Sequence, residues 1–351
     1  MLSYLRSFDR RGLVAGLLVV VLLAGGIVVG SRNLKDYDPI LLTYTLGILF
    51  SASAVVYRYA IWLQRPPTAV LFRRCFRLLL KRGERLQSIA FLVRATFENL
   101  VAQRFIRRRG VRRWVMHFCI AWGSLLAALV TFPLVFGWLH FETRRDDPEI
   151  YRVVMLGLGV GEFDARSWLG DVTFNLLNIS AVMVITGVSI ALNKRLKDMQ
   201  NISRQQFGDD IVPLILLLAI SLTGLMLTFS MHALGGASYS VLSLVHAVVV
   251  TVTLLYIPFG KFFHIFQRPA QIGVLLYKKK NAEQAPACCR LCGEGFAAVM
   301  QIEDLKEVMI RQGFDWSMGS GPNYLEICPA CRRRAIGVVQ GRRIAGAHGA
   351  R

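Results

Sequence analysis

Six stretches of this 351-residue chain run for about twenty residues each with almost no charge, at residues 13–30, 39–64, 114–139, 172–192, 211–234 and 241–263. A helix of that length crosses the ~30 Å hydrocarbon core of a bilayer, where every backbone N–H and C=O must be satisfied within its own segment. The expected fold class is therefore an all-α membrane protein of six transmembrane helices. With 54% hydrophobic residues, the chain is too apolar for a soluble domain of its length.

The first run follows Arg6, Arg10 and Arg11, in the manner of a secretory signal. It is long, however, and continues as Ser31-Arg32-Asn33 with no small-x-small cleavage site, so it reads as a retained anchor with an outer loop to residue 38.

Net charge is +20, and its distribution carries the information. Fourteen Lys and Arg fall between Arg65 and Arg113, and more lie in 194–204 and 278–280. By the positive-inside rule these segments are cytoplasmic, whereas loops 31–38 and 140–171, of mixed charge, fit the outer side. Both termini are then cytoplasmic, in the cytoplasmic membrane of a prokaryote. The basicity is a signal of topology and of anionic lipid rather than of nucleic acid.

The loop 65–113 opens with Pro66-Pro67 and reads as two helical stretches broken at Lys81-Arg82-Gly83. The first sets Leu71, Phe72, Phe76, Leu79 and Leu80 against Arg73, Arg74, Arg77 and Lys81, the pattern of a basic amphipathic helix lying in the membrane interface. It serves as a surface-lying connector or as a docking platform for a cytoplasmic partner. The apolar piece 153–160 is too short to span and is expected to be a re-entrant or surface element. Residues 39–275 form the expected bundle, 281–340 a small soluble module, and 341–351 a disordered basic tail whose His348 is no ligand candidate.

Five of the six histidines fall at or near the apolar runs: His117, His140, His232, His246 and His264. An ionisable residue inside a span is costly and marks function by default. Neutral imidazole is also an axial ligand of membrane haems. Eighteen positions separate His246 from His264, five turns of a continuous helix, which places both rings on one face ~27 Å apart. Six-span topology puts His117 and His264 near the cytoplasmic surface on different helices, as a bis-histidine haem requires. His246 lies toward the outer surface, with His232, across the Gly235-Gly236 turn, or His140, at the end of the third run, as its candidate partner.

The segment HAVVVTVTLLYIPFGKFFHIFQRP resembles the last helix of the membrane cytochrome b family that includes the nitrate reductase gamma subunit. It is more similar still to the cytochrome b subunits of heterodisulfide reductase and of the sulfite-reduction-associated membrane complex. FENLVAQRFIRRRGVRRWVMHFCIAWGSLLA is similar to their basic loop and the histidine-bearing helix after it. The resemblance covers roughly residues 40–275. It implies haem b held by His117 and His264 on the inner side, a second haem on His246, and a quinone site. In the nitrate reductase type a further histidine follows about ten residues into the third helix; here that position is Ala127. His232 or His140 then substitutes, or the chain holds one haem. Lys261, Arg112 and Arg113 are placed to meet haem propionates.

Five of seven cysteines lie in the last module, as Cys288-Cys289-Arg-Leu-Cys292 and, thirty-five residues on, Cys328-Pro-Ala-Cys331. Paired Cys-x-x-Cys motifs converge four thiolates tetrahedrally, and a module this small needs such a staple. A cytoplasmic location disfavours disulfides. The reading is a zinc-ribbon-like site of Cys289, Cys292, Cys328 and Cys331, with Gly293 and Arg332 at its tight turns. The alternative is an iron–sulfur centre with Cys288 as a fifth thiolate. That alternative resembles the cluster domain of heterodisulfide reductases, although Arg290 stands where that domain has Gly. Cys75 and Cys119 are packing residues.

The expected function is that of a membrane-anchor cytochrome b, moving electrons between a cytoplasmic iron–sulfur or catalytic oxidoreductase subunit and the quinone pool. The chain has no nucleotide loop and no acid–base constellation of its own, so substrate chemistry falls to the partner. The competing expectation is a haem-free membrane scaffold or transporter with a regulatory zinc tail.

Overall fold

The computed structural model describes residues 9–144, 146–197, 205–314, 316 and 322–348. Six helical segments are long and apolar enough to cross a membrane: Arg10–Gly30, Pro39–Gln64, Val111–Val135, Trp168–Lys197, Phe207–Ala233 and Tyr239–Tyr256. In chain order the helices are α1 (Arg10–Gly30), α2 (Leu42–Gln64), α3 (Pro66–Leu80), α4 (Arg85–Thr96), α5 (Arg104–Arg107), α6 (Val111–Val135), α7 (Trp168–Lys197), α8 (Val212–Ala233), α9 (Tyr239–Tyr256), α10 (His264–Ala282), α11 (Val299–Arg311) and α12 (Pro329–His348). The last of these runs into the stretch whose composition suggests a disordered tail. The basic segment 194–204 is described only as far as Lys197, at the end of α7.

The chain divides into two compact units, one of residues up to 61 with 102–267, the other of 62–101 with 268 onward. In the first, α6 and α7 approach closely through small residues. A Cβ on Gly123 would lie 2.8 Å from Val184, and one on Gly187 would lie 2.8 Å from the Met116 carbonyl. Ser180 Oγ donates to the Gly123 carbonyl at 3.0 Å, gluing the pair as polar side chains do in lipid. On α7, Val184, Val188 and Ala191 form a buried stripe, with Leu214 of α8 packed against it.

Two of the six runs end earlier than hydropathy suggests. The third stops at Val135 because Gly137 adopts φ +68°, with Trp138 N–H bonded to the Pro133 carbonyl and Gly137 N–H to Leu134. That double closure is a Schellman cap, which glycine favours. The chain then turns into strands β1 (Leu139–Thr143), β2 (Ile150–Met155) and β3 (Leu158–Asp164), an antiparallel sheet in the order β1-β2-β3. Leu156 and Gly157, both at positive φ, make the two-residue β2–β3 turn. The piece 153–160 is thus a hairpin rather than a re-entrant element, and the helical class carries a sheet between its third and fourth spans. Phe141, Tyr151, Phe163 and Phe174 stack at centroid distances of 5.2–6.3 Å and fasten this sheet to α7.

The sixth run is broken. The helix from Tyr239 ends at Tyr256, Pro258 is buried in the turn, and a 3₁₀ turn Lys261–Phe263 precedes α10. Proline lacks an N–H and clashes with the carbonyl four residues back, which kinks or breaks a helix, and here the helix ends before it. The five-turn geometry for His246 and His264 is therefore corrected: no single helix joins them.

Loop contacts within this unit join the ends of the apolar helices in two groups. On one side, Trp138 Nε1 donates to the Gly26 carbonyl at 2.9 Å and Arg32 lies 3.9 Å from Glu142, joining the loops after spans one and three. On the other, Asp210 pairs with Arg195 at 2.9 Å and with Lys261, joining the segments after spans four and six.

In the second unit, α3 and α4 form a hairpin turned at Gly83 (φ +82°). Leu276 of α10 and Val70 of α3 are among its most buried side chains. Strands β4 (Pro286–Cys288) and β5 (Gly295–Ala298) pair antiparallel. Asp304 of α11 holds Arg74 at 2.6 and 2.8 Å and accepts from Tyr277 at 2.9 Å.

Candidate functional site

The four sulfurs of Cys289, Cys292, Cys328 and Cys331 lie within 4.8 Å of one another, the arrangement a metal ion takes. Two local structures build it. The first pair sits on a turn after β4, closed by Cys289 N–H to Glu294 O at 2.8 Å and Gly293 N–H to Cys289 O at 2.9 Å. Gly293 takes φ +76° there, the tight turn its position suggests. The second pair is a helix start: Cys328 precedes Pro329, and Cys331 N–H donates to Cys328 Sγ at 3.4 Å. Sulfur at the N-cap takes up an orphan amide and sits at the positive end of the helix dipole. Arg332 therefore lies in a helical turn, not in a ribbon knuckle, stacking on Tyr324 at 4.8 Å and donating to Leu325 O at 3.1 Å.

Donor chemistry fits one ion. Cys292 and Cys328 sulfurs stand 3.7 Å apart, against ~3.8 Å for two thiolates at tetrahedral zinc with 2.3 Å bonds. In an iron–sulfur cube each thiolate binds its own iron and the sulfurs spread wider. Cys288 is exposed and outside the four-sulfur group, so a fifth thiolate does not converge here. Burial opposes ionisation of Cys289, but the backbone N–H groups of Cys328, Cys292 and Leu291 outweigh it and bring the thiol down to about 6. The Cys292 and Cys328 sulfurs, with burial, push Cys331 up to about 12. Cys292 is also raised: the Glu294 N–H draws it down, and the Cys289 and Cys328 sulfurs override that.

Comparison with protein-family models, curated proteins and solved structures finds no match for this chain.

The histidines occupy distinct settings. His117 lies six residues into α6, half-buried, with Nδ1 2.9 Å from Gln103 Oε1. Gln103 is 4% exposed and left-handed (φ 51°), a conformation that costs a non-glycine residue about 1–2 kcal/mol. Trp114 Nε1 donates to the neighbouring Ala102 carbonyl at 2.9 Å, so residues 102–107 fold back on the first turns of α6. His264, exposed at the start of α10, sets Nδ1 on the Lys261 carbonyl. Arg58 of α2 caps the Pro258 carbonyl and stacks 4.3 Å over Phe263, fixing the break just before it.

His246 Nδ1 bonds Thr223 Oγ1 at 2.8 Å, and Thr223 gives its own proton to Ala219 O at 2.7 Å. The threonine oxygen therefore accepts, Nδ1 carries the hydrogen, and Nε2 keeps the lone pair. Its contact in α8 is Thr223, nine positions and ~13 Å of helix before His232. The depth match with His232 is corrected on that ground: the Gly235-Gly236 turn is not the midpoint of a symmetric hairpin. His232 is exposed, with Nδ1 on the Thr228 carbonyl at 2.9 Å. His140 stands on β1 beyond the Schellman cap, Nε2 3.3 Å from Glu142, so it does not end the third span. Lys261 is committed to Asp210. Arg112 and Arg113 are exposed on the first turn of α6. Gln103, Thr223 and Asp210 escaped the sequence reading; only the Asp209-Asp210 pair, acidic at the basic end of an apolar run, carried a signal.

Proposed function

We propose that this chain is the membrane-embedded electron-transfer subunit of an oxidoreductase, holding haem b on His117 and His264 and linking a soluble iron–sulfur or catalytic partner to the quinone pool. The observation that carries the reading is the state of the imidazoles. His117, His246 and His264 each have Nδ1 against an oxygen acceptor. Orientation of the ring by an Nδ1–H bond to an oxygen is the arrangement of haem and zinc histidines. The resemblance of the 246–269 and 97–127 segments to membrane cytochromes b supports the same reading. Iron in such a haem supplies one-electron chemistry; the protein's residues orient the ligands, exclude water and set the charge around them.

In this reading the basic side, with loop 65–113 and the metal module, faces the cytoplasm and receives the partner. The module's ion is structural zinc, stapling β4, β5 and the start of α12. His246, enclosed by Thr223 and Gly224, holds a second haem only if α8 and α9 part. A haem-free scaffold or transporter with a zinc tail draws support from that enclosure. Haem content separates the two. His117→Ala and His264→Ala each abolish the haem in this reading, whereas His140→Ala leaves it. Full haem in either of the first two variants refutes the pairing.

A further inference from the structure

The α3–α4 hairpin uses part of its surface inside the second unit, where Cys75 Sγ donates to the Gly273 carbonyl at 3.2 Å. On α3, Val70 is buried, Arg74 reaches Asp304 and Arg73 reaches Glu307 at 3.1 Å. On α4, Ser88 and Ala95 are buried. Away from these run two apolar stripes. Phe72, Phe76 and Leu80 recur every four residues on α3 and are 44–54% exposed. Leu86, Ile89, Val93 and Phe97 recur at helical spacing on α4 and its end, and Leu86 is 83% exposed. Both stripes are exposed among the described residues.

Charge around the stripes is one-sided. Arg65, Arg77, Arg82 and Arg85 are exposed and have no acidic partner among the described residues, whereas Arg73, Lys81 and Arg94 are paired. Position in the chain narrows the occupant. The second apolar span ends at Gln64 and α3 starts at Pro66, so its first turn lies within two residues of the end of a membrane-crossing segment. Aromatic and aliphatic stripes flanked by arginine at that level match a headgroup layer with anionic lipid.

We infer that the α3–α4 hairpin is a lipid-facing plate: Phe72, Phe76, Leu86 and Val93 enter the acyl boundary of an anionic leaflet while Arg77, Arg82 and Arg85 bind its headgroups. The Arg74–Asp304–Tyr277 cluster fastens α11 to the other face, so the four-cysteine module is carried on a membrane-bound support. This inference depends on the six spans and not on haem.

The test places p-benzoylphenylalanine at Phe76, Val93 or Ile310 in the full chain, reconstituted in phosphatidylcholine vesicles with or without phosphatidylglycerol. Ile310, 75% exposed on α11, is an apolar reference off the plate. Illumination should give lipid adducts at positions 76 and 93 well above those at 310, enriched in phosphatidylglycerol. Combining Arg77→Glu, Arg82→Glu and Arg85→Glu should remove that enrichment, as reversed charges repel the anionic headgroups. Circular dichroism reports folding, and the two stripe probes keep the test decisive if the triple variant fails to fold. Lipid adducts at 76 and 93 no commoner than at 310, adducts to a second copy of the chain instead, or unchanged enrichment in a folded triple variant would overturn the inference.

Discussion

Removing Asp304 should uncouple α11 from α3, and the geometry sets the size of the effect. The carboxylate side chain is 9% exposed, meets Arg74 at 2.6 and 2.8 Å and receives the Tyr277 hydroxyl at 2.9 Å. Breaking a buried ion pair costs ~3–5 kcal/mol, and a hydrogen bond to a charged group ~1.5–3 kcal/mol. The Arg74 side chain is 20% exposed and keeps Glu303 at 3.5 Å, so water and a second carboxylate recover part of the loss. Asp304→Ala is then expected to cost about 2–3 kcal/mol, with a coupling of about 2 kcal/mol in a double-mutant cycle with Arg74→Ala. Burial is the main reason the Tyr277 phenol is pushed up to about 12, so it stays a donor throughout the neutral range. Hydrogen exchange of the α11 amides in the detergent-solubilised full chain reads the effect as about thirtyfold faster opening. Asp304→Asn, which still accepts from Tyr277, should fall between. A coupling below about 0.5 kcal/mol, or equal exchange in Asp304→Ala and wild type, would refute the idea that this cluster fastens the module.

Cys328→Ala should abolish stoichiometric zinc and expose the α12 amides to exchange, whereas Cys288→Ala leaves metal content unchanged; metal analysis of the purified chains decides it. Lys280 and Lys81 hold the Glu84 carboxyl down to about 2, below its ordinary 4.5. Its stabilising contribution is therefore full above about pH 4.5 and fades as pH falls toward 2, so Glu84→Gln should exchange faster than wild type at residues 279–283 at pH 6 and converge with it near pH 2. Gln103→Leu removes the acceptor at His117 Nδ1; loss of such an outer-shell partner costs about 10–100-fold in metal affinity. Weaker haem retention and a shifted midpoint potential are expected, with Gln103→Glu restoring retention.

The six helices of spanning length and the four-cysteine site were legible because each rests on a strong local signal, an uncharged run of spanning length or a pair of Cys-x-x-Cys motifs. What hydropathy could not give is where a run stops being helix. Pro258 lies inside the uncharged stretch 241–260, and the apolar Phe262-Phe263 beyond it disguised the break, though proline's missing N–H was visible. Strands β1–β3 were hidden because their alternation is weak and their turn falls on Leu156-Gly157. Gln103 was illegible for another reason. Fourteen positions and the Gly110 turn separate it from His117, so only folding residues 102–107 back on α6 brings them together. The second cysteine pair read as a knuckle like the first, because Cys-Pro-Ala-Cys does not reveal from its spacing that it opens a helix.

The central claim is that imidazoles on this apolar bundle hold haem, and the reduced-minus-oxidised visible spectrum of the purified full chain tests it most directly. An α-band of haem b that is lost in His117→Ala and in His264→Ala but kept in His140→Ala is the predicted result. A purified, folded, zinc-containing chain with no such band would contradict it.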